Sequence, residues 1–577
     1  MEVVIKQRQA LTNDISFPDT IHPVLRRVYS NRGISRVTEV EHELSKLLPF
    51  TDLLGVTQAV AILYQALLSQ KKIVVVGDYD ADGATSTALV VKALRAFGAE
   101  KADFLIPNRF EYGYGLTPEI VALAEQRQAE LLITVDNGIV SFDGVAAAKQ
   151  KNMQVIITDH HLAAESLPNA DAIVNPNQPN DGFGSKCLAG VGVSFYVMLA
   201  LRAALREHGW FEQRGIAVPN MAQFLDIVAL GTVADVVPLD QNNRILVEQG
   251  LQRIRSGQCC AGIKAILAVG KKELSKLVAT DLGFIVGPRL NAAGRLDDMS
   301  LGVECLLTDN VVKAQLIAGQ LDALNDERKH LEEEMREQAM VYLKKLHLES
   351  DTNHVGFCLY DPSWHQGIIG ILAARVKDRY HRPVIAFANS GDHEVKGSAR
   401  SIPGLHIRDI LESVALHHPG LISKYGGHAM AAGLTLRLEQ FEAFKLAFYQ
   451  EIAKKTTAEL LKNVMYTDGF LQSDDLTLQL AVLLKTAAPW GQHFPEPTFE
   501  GEFVLVEQRL VGEKHLKLIV ASAEGVIVDA IAFNIDLQRW PNQRCQKVHL
   551  VYQLDVNEFR GVKQLQLIVR YIGVIHA

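Results

Sequence analysis

The segment Lys72–Gly83, KIVVVGDYDADG, restricts this chain more than any other. Four consecutive aliphatics, Ile73 to Val76, suit a strand buried on both faces. The run then releases three carboxylates, Asp78, Asp80 and Asp82, and halts at Gly83 before a helical segment, ATSTALVVKALRAFG, that Gly98 closes. The acids therefore sit on a strand-to-helix turn, at the carboxyl end of a strand, where open α/β sheets place their ligands. Taken alone, such a turn reads equally well as solvated acidic surface. Charges this close repel one another unless a cation joins them, and divalent ions favour carboxylate oxygen.

Strands with the same kind of ending follow. From about 51 to 240 helix and strand alternate, which predicts a parallel, doubly wound sheet. Its further strands read ADFLIP (102–107), LLITVDNG (131–138), QVIITDHH (154–161) and DAIVNP (171–176). Asp136 follows one of them, and Asp159, His160 and His161 follow another. Asp235 arrives from LDIVALGTVADVVPL, where an apolar segment passes Gly231 into a turn. In a parallel sheet these ends emerge on one edge, so distant residues converge. Asp78, Asp80, Asp82, Asp136, Asp159, His160, His161 and Asp235 are too rich in oxygen for one tetrahedral zinc. They suit two adjacent Mn²⁺ or Mg²⁺ ions, about 3.5–4 Å apart, the arrangement used for phosphoester hydrolysis.

Composition excludes other classes. Six scattered cysteines form no CxxC pair, which argues against a zinc ribbon or a disulfide framework. No apolar run reaches the roughly 20 residues that cross a bilayer, and the first residues lack the apolar core of a signal peptide, so a cytoplasmic protein without membrane contact is expected. The net charge of −8 leaves a local basic channel open.

GDYDADG, TVDNG, TDHH and GTVADVVPL together resemble the four signature motifs of the DHH phosphoesterase superfamily. PNRFEYGYGL (107–116), LAGVGVSF (188–195) and GPRLNAAGR (287–295) resemble its RecJ branch, the bacterial single-strand-specific 5′→3′ DNA exonucleases. Small-molecule members usually carry a histidine where this chain has Val76, and Asp78 stands here instead, which favours the nuclease branch. The resemblance implies a two-metal exonuclease of recombination and repair acting on single-stranded DNA. It extends to a single-strand-binding protein and a repair helicase as partners, and a monomer is expected. Asp80, Asp82, Asp136, His160 and Asp235 would hold the metals, with Asp136 as the bridge and Asp78 as a further ligand. Asp159 would orient His160 from behind. His161 would act on the scissile phosphate or the leaving oxygen as acid or hydrogen-bond donor.

Five regions are expected. Residues 1–50 form a helical extension, 51–308 the DHH catalytic domain, 309–349 a long connecting helix, 350–455 a smaller α/β DHHA1 domain and 456–577 an OB-like barrel. In the fourth, SWHQGIIGILAARV (363–376), KGSARS (396–401) and KYGGHAMAAG (424–433) resemble DHHA1 motifs. On that resemblance Ser398 and Arg400, with Arg109, hold the terminal 5′-phosphate, His428 touches the phosphate under attack, and Arg289, Asn291 and Arg295 line the strand's path. Short strands after Pro497 suit a single-strand-binding barrel. Nine Lys or Arg against eight Asp or Glu over 501–577 do not by themselves declare nucleic-acid binding. Two competitors share the motifs: a DHH–DHHA1 phosphodiesterase on oligoribonucleotides or cyclic dinucleotides, which needs no barrel, and a non-catalytic scaffold, in which the acids should be eroded.

Overall fold

A computed structural model describes residues 3–10, 17–108, 111–112, 115–345, 355–391, 393–537 and 540–575. Arg109 lies outside the described residues. The chain divides into two compact units, one of 7–322 with 466–577 and one of 1–6 with 323–465.

The N-terminal strand β1 (Val3–Gln7) is followed by the five strands of the larger unit's sheet: β2 (Ile73–Gly77), β3 (Ala102–Leu105), β4 (Leu131–Val135), β5 (Gln154–Thr158) and β6 (Ala172–Val174). These five are parallel and ordered β3-β2-β4-β5-β6. Val74, Val76, Leu132, Val155 and Ile157 pack with Ile120, Val121, Ala124, Val145 and Ala148, from helices Pro118–Gln126 and Phe142–Gln150. The alternate residues Val75, Ile133 and Ile156 point the other way and are also buried. Both faces are therefore covered, and aliphatic runs rather than alternation mark these strands. Chain order reverses beside β2, so the crevice of the switch point opens where β2, β4 and β5, neighbours in the sheet, release their acids.

The smaller unit is a mixed sheet of β7 (Phe357–Tyr360), β8 (Val384–Asn389), β9 (Glu394–Arg400), β10 (Lys424–Gly427) and β11 (Ala431–Arg437), ordered β10-β11-β9-β8-β7. Strand β12 (Asn463–Thr467) pairs with β1. The last five strands, β13 (Phe499–Val511), β14 (His515–Ala521), β15 (Ile527–Ala532), β16 (Lys547–Phe559) and β17 (Val562–Val574), close a barrel in the order β13-β14-β15-β17-β16. The long helix runs Val311–Lys345, 35 residues against the roughly 27 that its apolar spacing predicts.

The N-terminal segment departs from the helical expectation. Its described residues hold β1, one eight-residue helix, Pro23–Ser30, and three single 3₁₀ turns. Gly33, at φ +77°, turns the chain out of the helix, and its partners then decide its path. Asp468, fully buried, takes a two-pronged grip from Arg32 at 2.9 and 3.1 Å and a hydrogen bond from Asn31 at 3.0 Å. Tyr29 Oη donates to Ala487 O at 3.0 Å. Further on, Glu39 O accepts from Arg244 at 2.9 Å and His42 O from Gln249 at 2.6 Å, both on helix Gln241–Arg255. Residues 27–48 thus strap the segment leading into the barrel to the catalytic domain. Tyr29→Phe leaves a carbonyl unpaired and should cost about 1 kcal/mol in urea unfolding; an unchanged unfolding midpoint would show that water replaces the hydroxyl.

Candidate metal centre

The first acid loop is a helix start. Asp80 is the N-cap of helix Ala81–Ala96, and its Oδ1 accepts from Asp82 N at 2.9 Å and Gly83 N at 3.0 Å. Asp82, 1% exposed, points back across the loop to a second helix start. Its carboxylate accepts from Gly190 N at 2.6 Å and Val191 N at 3.0 Å, the first amides of helix Gly190–Glu207. A Cβ on Gly190 would fall 2.6 Å from Asp136 Cβ, so only glycine lets this helix approach both acids. Asp136 follows β4 directly with φ +62°, a left-handed backbone that Asp tolerates better than most residues. The Asn137 side chain ties the ends of β2 and β4 together by donating to Val76 O at 3.1 Å and Val135 O at 2.9 Å.

His160 Nε2 lies 3.1 Å from Asp136 Oδ1 and 3.5 Å from Asp235 Oδ2, so three separate segments converge on one imidazole. Asp235 ends helix Leu225–Ala234. Three groups of donor atoms, each within 4.8 Å, are compatible with ion binding: Asp78, Asp80 and Asp136; Asp82, His160 and Asp235; and Asp136, His160 and His161. Asp136 belongs to two of them. Burial, and then the neighbouring acids, push the Asp136 and Asp235 carboxyls well above the ordinary carboxylate range. Burial and Asp80 push Asp82 up to about 7 despite its two amide bonds. Hard oxygen donors crowded until their charge is disfavoured fit divalent Mn²⁺ or Mg²⁺.

One expectation about Asp159 needs correcting. Its side chain does not back the His160 ring: Oδ1 accepts from the backbone N–H groups of His160 at 2.7 Å and His161 at 3.1 Å. The same oxygen meets His161 Nδ1 at 2.7 Å, and Oδ2 accepts from Ile139 N at 2.9 Å. Burial opposes charge on His161, but the hydrogen bond and charge of Asp159 outweigh it and push the imidazole up to about 9. Burial likewise opposes charge on Asp159, and the bond from His161 holds that carboxyl below its usual range. Asp159 therefore positions His161.

Asn291 braces the first acid loop. Its Oδ1 accepts from Ala81 N at 2.8 Å, so helix Gly287–Leu296 props the acid loop. Arg289 spends its guanidinium on Asp322 at 2.8 Å and on Ile285 O at 2.7 Å. Arg295 lies on the same helix and is half-buried. Asn175 and Asn177, which sequence reasoning passed over, hold the carbonyls of His161 and His160 at 2.9 and 2.6 Å. The turn-rich NPNQ after β6 was the available signal.

In the smaller unit, Lys396, Ser398 and Arg400 alternate along β9 and share its polar face, while Val395 and Ala399 enter the core. Arg400 Nη1 donates to Ser398 Oγ at 3.1 Å and Ala399 O at 2.8 Å. A Cβ on Gly370 would lie 2.8 Å from Arg400 Nη2 and 2.9 Å from Ser398 Oγ, so the first turn of helix Ile369–Tyr380 rests on this pair. Burial lowers the guanidinium's pKa, and no carboxylate pairs with it among the described residues. His428 is exposed on the β10–β11 hairpin, its N–H donating to Ala431 O at 2.8 Å.

Comparison with known proteins agrees along the whole chain. Residues 72–232 match the DHH family, N-terminal domain; 353–454 the DHHA1 domain; and 467–571 the RecJ OB domain. The single-stranded-DNA-specific exonuclease RecJ of Dickeya dadantii is 53% identical over 573 residues, covering 99% of this chain and 100% of that one. The protein of the same name from Escherichia coli is 52% identical over 570 residues, 99% of each. The crystal structure of RecJ from Thermus thermophilus in complex with Mn²⁺ superposes with a TM-score of 0.79 at 30% identity, covering 96% of this chain and 76% of that one. Its Mg²⁺ complex gives 0.73 at 29%, covering 96% and 75%. The chain belongs to the RecJ family of DHH phosphoesterases.

Proposed function

We propose that this chain is a divalent-metal-dependent exonuclease that hydrolyses single-stranded DNA from its 5′ end, in recombination and repair. The observation that carries the reading is the convergence of acids and histidines from β2, β4 and β5 with Asp235, in a chain about half identical to single-strand-specific exonucleases over its full length. Asp78, Asp80, Asp82, Asp136, His160 and Asp235 would hold two ions, with Asp136 serving both. Such ions, when bound, lower the pKa of the attacking water and take up charge on the phosphate.

The chain's own residues do the rest. Gly190 and Val191 aim the Asp82 carboxylate, and Asp136 and Asp235 close around His160. His161, oriented by Asp159, donates to the scissile phosphate or the leaving oxygen. Ser398 and Arg400, side by side on the polar face of β9, would hold the terminal phosphate. The closed barrel adds a single-strand-binding module that a dinucleotide phosphodiesterase would not need.

End-labelled substrates in Mn²⁺ test the reading. A 5′-labelled single strand should release labelled mononucleotide from the first turnover, a 3′-labelled strand only late, and a blunt duplex hardly at all. Prompt release from the 3′ label would reverse the polarity. A preference for dinucleotides over long strands would favour the small-substrate phosphodiesterase.

A further inference from the structure

Strand β5 leads into two adjacent histidines whose rings have different partners. His160 Nε2 faces Asp136 and Asp235, at 3.1 and 3.5 Å, while His161 Nδ1 meets Asp159 at 2.7 Å. The ring planes stand 57° apart, yet both rings reach one donor group with Asp136. Successive side chains of an extended strand point to opposite faces, so aiming two neighbours into one cluster takes a backbone that has left the strand. The ladder of β5 ends at Thr158, and the polar groups beyond it need other partners. All four backbone polar groups of the two histidines end on side chains. Asp159 Oδ1 accepts from both N–H groups, at 2.7 and 3.1 Å. Asn177 Nδ2 donates to His160 O at 2.6 Å, and Asn175 Nδ2 donates to His161 O at 2.9 Å.

The two asparagines form one unit that is itself held in place. Asn175 Oδ1 accepts from Asn177 N at 2.7 Å, an Asx turn that fixes the spacing of the two amides. Between them, Pro176 O accepts from Lys186 Nζ at 2.7 Å, and the same ammonium is anchored on Asp181 at 2.9 Å. Asn175 is fully buried, where a carboxamide is costly unless its polar atoms are paired. Both ends of its side chain are paired, one with His161 and the other with Asn177. The two carbonyls are not equivalent. His160 O lies on the peptide plane that joins the two rings, so fixing it constrains both. His161 O lies on the plane that follows, so fixing it constrains His161 alone.

We infer that Asn175 and Asn177 are positioning residues with divided duties: Asn177 sets both rings, and with them the metal cluster, while Asn175 sets only the His161 ring that serves the phosphate. The inference rests on the nuclease reading above. Each amide acts through the carbonyl that it holds, as the outer hydrogen-bond partners of metal-bound groups do.

The test titrates the full chain with Mn²⁺ alone in a calorimeter and, separately, measures cleavage of a single strand at saturating Mn²⁺. Asn177→Ala should weaken Mn²⁺ binding by about tenfold to a hundredfold and lower kcat as well. Asn177→Leu fills the same space without a donor and should behave alike. Asn175→Ser retains a weaker acceptor for Asn177 N but is too short to reach His161 O. It should keep Mn²⁺ affinity and KM within about threefold of the parent and lower kcat by about tenfold or more. Melting temperature under chelator is the structural control. Asn177 is only half-buried, so its two variants decide the matter even where Asn175→Ser folds poorly. Parent affinity in either Asn177 variant would overturn the hydrogen bond's role, and equal losses of Mn²⁺ affinity at both positions would overturn the division. A parent that binds Mn²⁺, loses it in Asn177→Ala and cuts no strand would leave the positioning of the metal cluster standing and overturn the nuclease reading.

Discussion

Asp136→Asn should abolish metal-dependent cleavage, lowering kcat by at least about a thousandfold, while the chain stays folded. Asp136 is shared between two donor groups and sits 3.1 Å from His160, so its charge would serve both proposed ions at once. Asparagine is the better probe than alanine, because it tolerates φ +62° and keeps the side-chain shape. A second readout separates a metal ligand from a structural acid. Burial and mutual repulsion raise the Asp82, Asp136 and Asp235 carboxyls in the metal-free fold. That fold then binds more protons than the unfolded chain, so its stability falls as pH rises. The fall starts near the ordinary carboxylate value of 3.8 and continues at least to about 7, where Asp82 titrates. Under chelator, the parent should lose thermal stability across that window, and Asp136→Asn should lose less. Adding Mn²⁺ should raise the parent's melting temperature at pH 7 and raise the variant's much less. Retained cleavage within tenfold of the parent, or equal stabilisation of both by Mn²⁺, would rule out Asp136 as a shared ligand.

What could be read in advance follows a physical divide. The parallel sheet was legible because strands covered on both faces must be aliphatic throughout, and theirs end abruptly in acids at Asp78, Asp136 and Asp159. The barrel was legible from short strands separated by turns. The partners of individual side chains were not. Asp159 precedes two histidines, and sequence cannot say which ring turns back to meet it; the loop geometry chooses His161. Asn291 finds its partner, Ala81, 210 residues away, so no local pattern reveals that it props the acid loop. The N-terminal segment misled for the opposite reason. Its local helical tendency is real over Pro23–Ser30, but beyond Gly33 its path is set by Arg244, Gln249 and Asn242 of a distant helix.

Arg400→Ala should slow attack on 5′-phosphorylated strands, and Arg400→Lys should recover only part of the rate. In KGSARS the alternation along β9 puts Ser398 and Arg400 on one face, and the structure brings the first turn of helix Ile369–Tyr380 onto them. A partly buried guanidinium without a carboxylate partner among the described residues is costly unless an anion completes it. Hydroxyl, helix start and guanidinium together make an anion seat. A terminal phosphate carries more charge than an internal one, and a guanidinium can grip it with two parallel hydrogen bonds where an ammonium offers a point charge. Losing such a contact costs about 1.5–3 kcal/mol, or roughly ten- to a hundredfold in kcat/KM. Gly370→Ala should have a smaller effect of the same kind, because its methyl would press on Nη2 without removing it. The substrate end decides the matter. If the phosphate sets the register, a 5′-hydroxyl strand is already slow in the parent and loses little more in Arg400→Ala, so the effects of enzyme and substrate changes fall short of additive. Fully additive losses would place Arg400 on an internal phosphate or in the architecture of the smaller unit.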